Sequence, residues 1–211
     1  MALPPAILTA SCDTLPLLLV KSVDVDLSFH ELSAFSLTIN CITPADRAAL
    51  RMARNITIAL NTKPILVGLI DKPEVNQSRD GGARYLPGRE KASPLLDCDC
   101  IDAGDYKGLM IDAVANKLIA PFNAKGLGVK IIAGAKATAK RVKEKPLGNR
   151  PLQFIRQVAD DAGLIVWTDP AKNIIHIDEP GMALAQAQAA PQLQLARIPG
   201  YAFKNIKSFS C

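Results

Sequence analysis

Alternating apolar and polar residues predict that the first half of the chain is β structure. In "LLLVKSVDVDLSF", Val23, Val25 and Leu27 alternate with polar residues, the period expected of a strand with one buried face. The alternation returns in "FSLTINCI", and "NITIAL" and "PILVGLID" flank "NTK" as the strands of a hairpin would. The pattern therefore predicts strands across residues 15–100, with "NQSRDGGAR" as a polar loop.

The stretch "SPLLDCDCI" is predicted to be the last strand of this region. A period of two places Leu96, Cys98 and Cys100 on one face and Asp97 and Asp99 on the other. Cysteine is among the most buried residue types and behaves as a small hydrophobe. We therefore expect both thiols in the core and both carboxylates toward solvent or a partner.

After residue 102 the apolar spacing changes from strand-like to helical. The stretch "DYKGLMIDAVANKLIAPF" carries an apolar stripe with helical spacing, typical of an amphipathic helix. The stripe comprises Met110, Ile111, Val114, Ala115, Leu118, Ile119 and Phe122. Pro121 and the glycines of "NAKGLG" are predicted to end this helix.

The following segments predict a small α/β unit. "GVKIIAG" is a short strand, and "AKATAKRVKEKPLGN" is a basic connection. "RPLQFIRQVADDAG" is a second helix, with Pro151 in its first turn and Gly163 as its C-cap. "LIVWT" and "NIIHID" form a hairpin around "DPAK". "GMALAQAQAAPQ" is a linker or, alternatively, a frayed helix, and "GYAFKNIKSFSC" has a structured pattern again.

Composition narrows the class of protein. The 211 residues are 49% hydrophobic, enough for a real core, and the net charge of +5 is compatible with an acidic partner. The five cysteines are irregularly spaced, which favours a reducing compartment over a disulfide framework. No membrane span is predicted, because the densest apolar run, "LPLLLV", is far too short. No export signal is predicted at "MALPPAILTASC", because no basic residue precedes its short apolar part and it carries two prolines.

Catalytic and metal-binding patterns are weak. His30 falls in a predicted turn and His176 in a strand, and neither is marked as the base of a triad. Cys98 and Cys100 could supply two thiolates to zinc, but no second pair of ligands accompanies them. We therefore expect no catalytic, cofactor-binding or metal-binding residues and no enzymatic activity.

A basic run supports one alternative function. Its residues could contact nucleic acid phosphates, although no aromatic residues for base stacking are interleaved with them. The run comprises Lys136, Lys140, Arg141, Lys143 and Lys145. A solvated loop is the favoured interpretation, so nucleic acid is not an expected partner, but a basic nucleic-acid-binding protein stays open as an alternative.

Four stretches, in this order, resemble a known family. They are "VKSVDVDLSFHELSAFSLTIN", "LNTKPILVGLID", "GREKASPLLDCDC" and "RPLQFIRQVADDAGLIVWTDPAKNIIHI". Together they cover most of residues 20–178 and are similar to the baseplate hub proteins of Mu-like contractile-tailed bacteriophages. That family is related to the late control protein D family and to the hub part of type VI secretion spikes.

The resemblance implies an α+β fold. It divides the chain into a first antiparallel β-barrel hub domain at 1–102, an α/β domain at 103–180, and a linker with the start of a truncated second β-barrel at 181–211. The expected barrel core comprises Leu37, Ile39, Leu66, Leu69 and Leu96. The expected α/β core comprises Met110, Val114, Leu118, Ile155 and Val158.

The resemblance also implies a structural function. Such hubs form trimers whose barrels adapt the tail tube to the central spike, so the implied partners are further copies of the chain, the tube protein and the spike protein. The implied location is the virion tail baseplate, after assembly in the host cytoplasm. A cell-wall hydrolase carried by a baseplate, acting through a carboxylate or His176, is the remaining alternative.

Overall fold

The chain has an α+β fold in which one large sheet precedes a smaller helical unit. The computed structural model describes residues 7–28, 31–40, 43–71, 74–75, 83–100, 106–142 and 150–181. Within these residues it has a seven-stranded curled antiparallel sheet, a three-stranded sheet and four helices. The predicted linker and second-barrel start at 182–211, His30, Cys41 and Cys211 lie outside them.

The large sheet has the strand order β1-β4-β5-β7-β3-β2, with β6 paired to β7. The strands are β1 (Leu8–Cys12), β2 (Val20–Asp26), β3 (Ala34–Asn40), β4 (Asn55–Leu60), β5 (Lys63–Ile70), β6 (Glu74–Val75) and β7 (Ala83–Glu90). Burial alternates along β3, β4 and β5, as the period-two pattern predicts. The predicted hairpin around "NTK" is confirmed as β4–β5.

The sheet curls so that its two ends approach each other. The Leu18 N–H donates to the Ala10 carbonyl at 2.8 Å, and the Cys12 N–H donates to the Leu15 carbonyl at 2.9 Å. The segment between β1 and β2 therefore runs back along β1. Beside it lies helix α1 (Pro44–Met52), which buries Leu50 in the sheet core.

Helix α1 was not predicted from the apolar pattern. A capping box begins it, in which the Thr43 side chain accepts from the Asp46 N–H and the Asp46 side chain accepts from the Thr43 N–H. Pro44 occupies the first turn, where its missing N–H costs nothing. The letters "TPAD", with Thr43 three residues before Asp46, carried this signal.

The prediction of a strand at "SPLLDCDCI" is wrong. The structure instead has a helical turn, α2 (Pro94–Asp97), in which the Cys98 N–H donates to the Pro94 carbonyl at 3.0 Å. Pro94 suits a first helical position, and adjacent leucines do not alternate as a one-sided strand requires. Leu95 is the fully buried residue of the turn.

The α/β unit has the predicted element types. It consists of α3 (Ile111–Ala124), β8 (Lys130–Ala133), α4 (Pro151–Asp160), β9 (Ile165–Asp169) and β10 (Ile174–Asp178). Strand β10 is central, parallel to β8 and antiparallel to β9. Pro121 does not end α3 as predicted, because it lies in the last turn and loses only one intrahelical hydrogen bond there.

Two hydrophobic clusters divide the predicted core residues. Leu37, Ile39 and Leu66 are buried in the cluster of the large sheet, as predicted. Leu69 and Leu96 were assigned to the same core wrongly, because both pack against the α/β cluster instead. The four predicted α/β core residues Val114, Leu118, Ile155 and Val158 are confirmed as buried there.

Met110 was also predicted in the α/β core and is wrong in part. It is only half-buried and occupies the N-cap position of α3, where an extended backbone turns its side chain out of the helical stripe. The buried stripe therefore begins at Ile111.

Candidate functional site

The residues that carry the family resemblance meet in space around Phe35. A β-carbon added at Gly68 would lie 2.7 Å from the Phe35 ring and 2.7 Å from the Arg89 carbonyl. A β-carbon at Gly88 would meet the same ring and the Leu69 carbonyl still more closely. Phe35 is the cross-strand partner of Gly88. The Phe35 ring therefore packs over both glycines, where any side chain would collide with it.

Arg89 joins two of the motif segments through ion pairs, "LNTKPILVGLID" through Asp71 and its own segment through Asp97. Its guanidinium contacts both oxygens of Asp71, with Nε–Oδ2 at 3.3 Å and Nη2–Oδ1 at 3.2 Å. It also contacts Asp97, with Nη2–Oδ2 at 2.8 Å. Hydrogen bonding to Arg89 lowers the pKa of Asp97. The guanidinium therefore fixes α2 against the ends of β5 and β7. The glycines Gly68 and Gly88 in these motifs are explained by packing, and Asp71 and Arg89 by ion pairing.

Glu90 is the most deeply buried charged residue described, at 1% exposure. Its Oε2 accepts from the Ser33 N–H at 3.0 Å and from the Thr168 hydroxyl at 3.1 Å. The Glu90 N–H in turn donates to the Ser33 carbonyl at 2.8 Å. This one side chain thus connects the large sheet to β9 of the α/β unit.

The environment of Glu90 disfavours its charge. Burial raises the pKa of this carboxyl, while the hydrogen bonds and the nearby Arg156 guanidinium lower it. Burial likewise lowers the pKa of Arg156. Glu90 Oε1 and Arg156 Nη2 have no hydrogen-bond partner among the described groups. Glu90 was not predicted as a site residue. Its only signal in the sequence is a charge at a strand position whose side chain faces the core.

The predicted core position is wrong for Cys98, whereas Cys100 packs against the α/β core as a partly buried residue. Cys98 is exposed and Cys100 is half-buried, because α2 replaces the predicted strand. Burial, with Asp99 nearby, raises the pKa of Cys100, which disfavours the thiolate needed for metal or redox chemistry. Among the described residues, no group of three or more His, Cys, Asp or Glu side chains is arranged to hold a metal ion.

His176 lies on β10, as predicted, and stacks on Trp167 with ring centroids 3.8 Å apart. Burial lowers its pKa, which favours the neutral form. The stacked, half-buried ring is placed for packing within the small sheet. A triad base requires a carboxylate that orients its ring. Among the hydrogen bonds described for these strands, none joins the His176 ring to a carboxylate.

The described part of the basic run is held within the α/β unit. Lys136 Nζ lies 2.8 Å from Glu179 Oε1, and Arg141 Nη1 donates to the Gly108 carbonyl at 3.0 Å. Lys140 is exposed, while Lys143 and Lys145 lie outside the described residues. Two of the three described basic residues, Lys136 and Arg141, therefore already have partners within the α/β unit.

Exposed apolar side chains lie beside α1, at Leu17 and Leu19, and at its end, at Met52. Leu17, Leu19 and Met52 are 63%, 50% and 74% exposed. Leu17 and Leu19 line a cleft of about 300 Å³ between β1 and the start of β2. No helix in the described part of the chain is long and apolar enough to cross a membrane. Because Leu17, Leu19 and Met52 leave apolar side chains in water, they are candidates for contact with another protein.

Comparison with solved structures identifies the fold. A tail protein from Neisseria meningitidis superposes with a TM-score of 0.63 at 18% identity, over 82% of this chain and 50% of that one. The 43 kDa tail protein of prophage MuSo2 from Shewanella oneidensis gives a TM-score of 0.63 at 14% identity, over 82% of this chain and 53% of that one.

A third similar structure comes from a secretion system. It is an E. coli type VI secretion component described as similar to the T4 bacteriophage tail proteins gp27 and gp5. Its TM-score is 0.56 at 15% identity, over 82% of this chain and 49% of that one. The resemblance to phage tail proteins and to a type VI secretion component is therefore confirmed at the level of the fold.

The similarity covers only part of the solved structures and is seen in the fold alone. This chain spans about half the length of the solved structures that it matches. No family model and no curated protein sequence matches it.

Proposed function

We propose that this chain is a structural component of a phage tail baseplate hub, adapting the tail tube to the central spike. The supporting observation is the fold, which the chain shares over 82% of its length with phage tail proteins from two bacteria. The type VI secretion component with the same fold supports a role in a contractile machine.

The proposed role is non-enzymatic. The charged and aromatic residues of the motifs hold the fold together. Arg89 pairs with two carboxylates, Glu90 accepts hydrogen bonds across the junction, and Phe35 covers two glycines. This arrangement supports a rigid module whose function lies in its surfaces.

Within this proposal the large curled sheet is the first β-barrel of a hub, at residues 1–102, and the α/β domain follows at 103–180. Residues 181–211 are proposed to lead into a second barrel. Self-association as a trimer would let copies surround the tube axis, with the tail tube protein and the spike protein as neighbours. The proposed location is the virion tail, after assembly in the host cytoplasm.

Deletion of the gene in a producing strain tests this proposal. Electron micrographs of the resulting lysate should show tubes and sheaths without baseplates, and a plasmid copy of the gene should restore complete tails. Complete and infectious particles from the deletion strain would contradict a hub function. A strain producing normal tails that fail only to penetrate the cell wall would favour the hydrolase alternative.

A further inference from the structure

Charge is polarised along β2 of the large sheet. The strand begins with exposed Lys21 and ends with exposed Asp24 and Asp26. Five residues of strand separate Lys21 from Asp26 by about 16 Å. The two ends of this strand therefore present opposite charges to solvent.

The end at which β2 begins is basic and apolar. Arg47 and Arg51 are exposed on α1, and Arg54 is exposed two residues after the helix ends. Leu17 and Leu19 share a cleft with Asp46 and Leu50 of α1, which places the exposed leucines against the helix. We define the α1 surface as Leu17, Leu19, Arg47, Arg51, Met52 and Arg54.

The acidic groups near the α1 surface are already engaged. Asp13 accepts from the backbone N–H groups of Arg54 and Asn55 at 3.1 and 3.3 Å, and Asp46 caps α1. No ion pair joins Arg47, Arg51 or Arg54 to another described residue. Their positive charge is therefore available to a partner.

The opposite end of β2 is acidic. Asp24 and Asp26 are joined there by exposed Glu31, in the connection to β3. We define the acidic surface as these three residues. Arg89, on the strand beyond β3, is paired with Asp71 and Asp97. Arg156 interacts electrostatically with Glu31 but also with Asp160 and the buried Glu90. No ion pair joins the three acids to any other described residue.

We infer that the α1 surface of one copy binds the acidic surface of a second copy. Three arginines face three carboxylates in this contact, and Leu17, Leu19 and Met52 supply apolar area that a lone chain leaves in water. The two surfaces differ, so the contact is head-to-tail and forms a ring or an open filament rather than a closed pair. This inference rests on the proposed hub function, since it names the surfaces through which copies would associate.

Light scattering on charge-reversed chains tests the inference. One variant carries Asp24→Lys and Asp26→Lys, and the other carries Arg47→Glu and Arg51→Glu. Each variant alone should associate at least about tenfold more weakly than the wild-type chain, because like charges then meet. An equimolar mixture should recover association, since each reversed surface finds an opposite one. Lys125→Glu with Lys130→Glu, on the exposed side of the α/β unit, is the matched control and should change nothing.

Each result bears on the inference. Association of the wild-type chain that survives both reversals would overturn it and leave the hub function standing, because other surfaces would then join the copies. Two monomeric variants that fail to associate when mixed would overturn the pairing of these surfaces. A wild-type chain that stays monomeric in low salt at every concentration would overturn it as well. The deletion experiment decides the hub function independently of all three.

Discussion

The two hydrophobic cores of this chain are filled in different ways. In the large sheet the buried residues are aliphatic except for Phe35, whose ring lies over two glycines. In the α/β unit two helices pack together around buried rings, including Tyr106 and Phe154 with centroids 6.3 Å apart. The sheet core therefore has no room for added atoms at its glycines, whereas the α/β core depends on large side chains remaining in place.

The junction between the cores shows why they are not independent. Leu69 and Leu96 come from the sheet side of the chain but pack against the α/β core. The Val67 N–H also donates to the Pro170 carbonyl at 2.8 Å. A change in either core should therefore lower the stability of one cooperative unit, although the two cores should respond to different kinds of substitution.

Removing volume from the α/β core should have the largest effect. Leu118→Ala is expected to lower the free energy of unfolding by about 2–5 kcal/mol, because it leaves a cavity at a residue only 4% exposed. Urea unfolding measures the loss. The same truncation at Leu109, which is 38% exposed, is the matched control. A loss well under about 1 kcal/mol at Leu118 would show that this helix face does not pack as described.

Adding volume to the sheet core should have the next largest effect. Gly88→Ala is expected to destabilise the chain by about 1–3 kcal/mol, because the new methyl group meets the Phe35 ring and a backbone carbonyl. Gly181→Ala, where a β-carbon meets no atom within 4 Å, is the control. Combining Gly88→Ala with Phe35→Leu should cost less than the sum of the two changes. Simple additivity would contradict the contact between ring and glycine.

The buried carboxyl at the junction should make stability depend on pH. Burial raises the pKa of Glu90 above its unfolded value, so the native state holds this proton more tightly. The resulting stabilisation is complete below the ordinary carboxyl pKa and is lost as the pH rises through the raised one. Glu90→Gln should therefore become more stable relative to wild type as the pH rises above the ordinary carboxyl pKa of about 4.3.

Urea unfolding at a series of pH values checks this expectation. If the difference in free energy of unfolding between Glu90→Gln and wild type stays constant with pH, the raised pKa of the buried Glu90 carboxyl is contradicted.

The smallest effect is expected at the β4–β5 turn. Thr62 has φ of +70°, a left-handed conformation that costs a β-branched residue energy. Thr62→Gly should raise the free energy of unfolding by up to about 1 kcal/mol. Asn61→Gly should give no such gain, because the Asn61 Oδ1 accepts from the Ile7 N–H at 2.7 Å. Equal effects at both positions in thermal unfolding would contradict this difference.

Periodicity in the sequence predicted the elements whose burial is local. The hairpin β4–β5, the helices α3 and α4, and the hairpin β9–β10 each carry a regular apolar pattern over their own length. Leu37 and Val114 were assigned to the correct cores for this reason. The family resemblance added the order in which these elements are connected.

The junction could not be predicted in this way. "GREKASPLLDCDC" contains a strand end, a turn and a helical turn, so no single period describes it. Glu90 is buried only because Ser33 and Thr168, distant in sequence, complete its hydrogen bonds. The α1 surface likewise depends on where α1 folds relative to the sheet, which no local pattern specifies.

Electron cryomicroscopy of tails from a producing strain tests the central claim most directly. The account predicts density for this fold at the centre of the baseplate, with copies arranged around the tube axis between the last tube ring and the spike. Density for the chain elsewhere in the particle, or tails complete at the hub without it, would contradict the account.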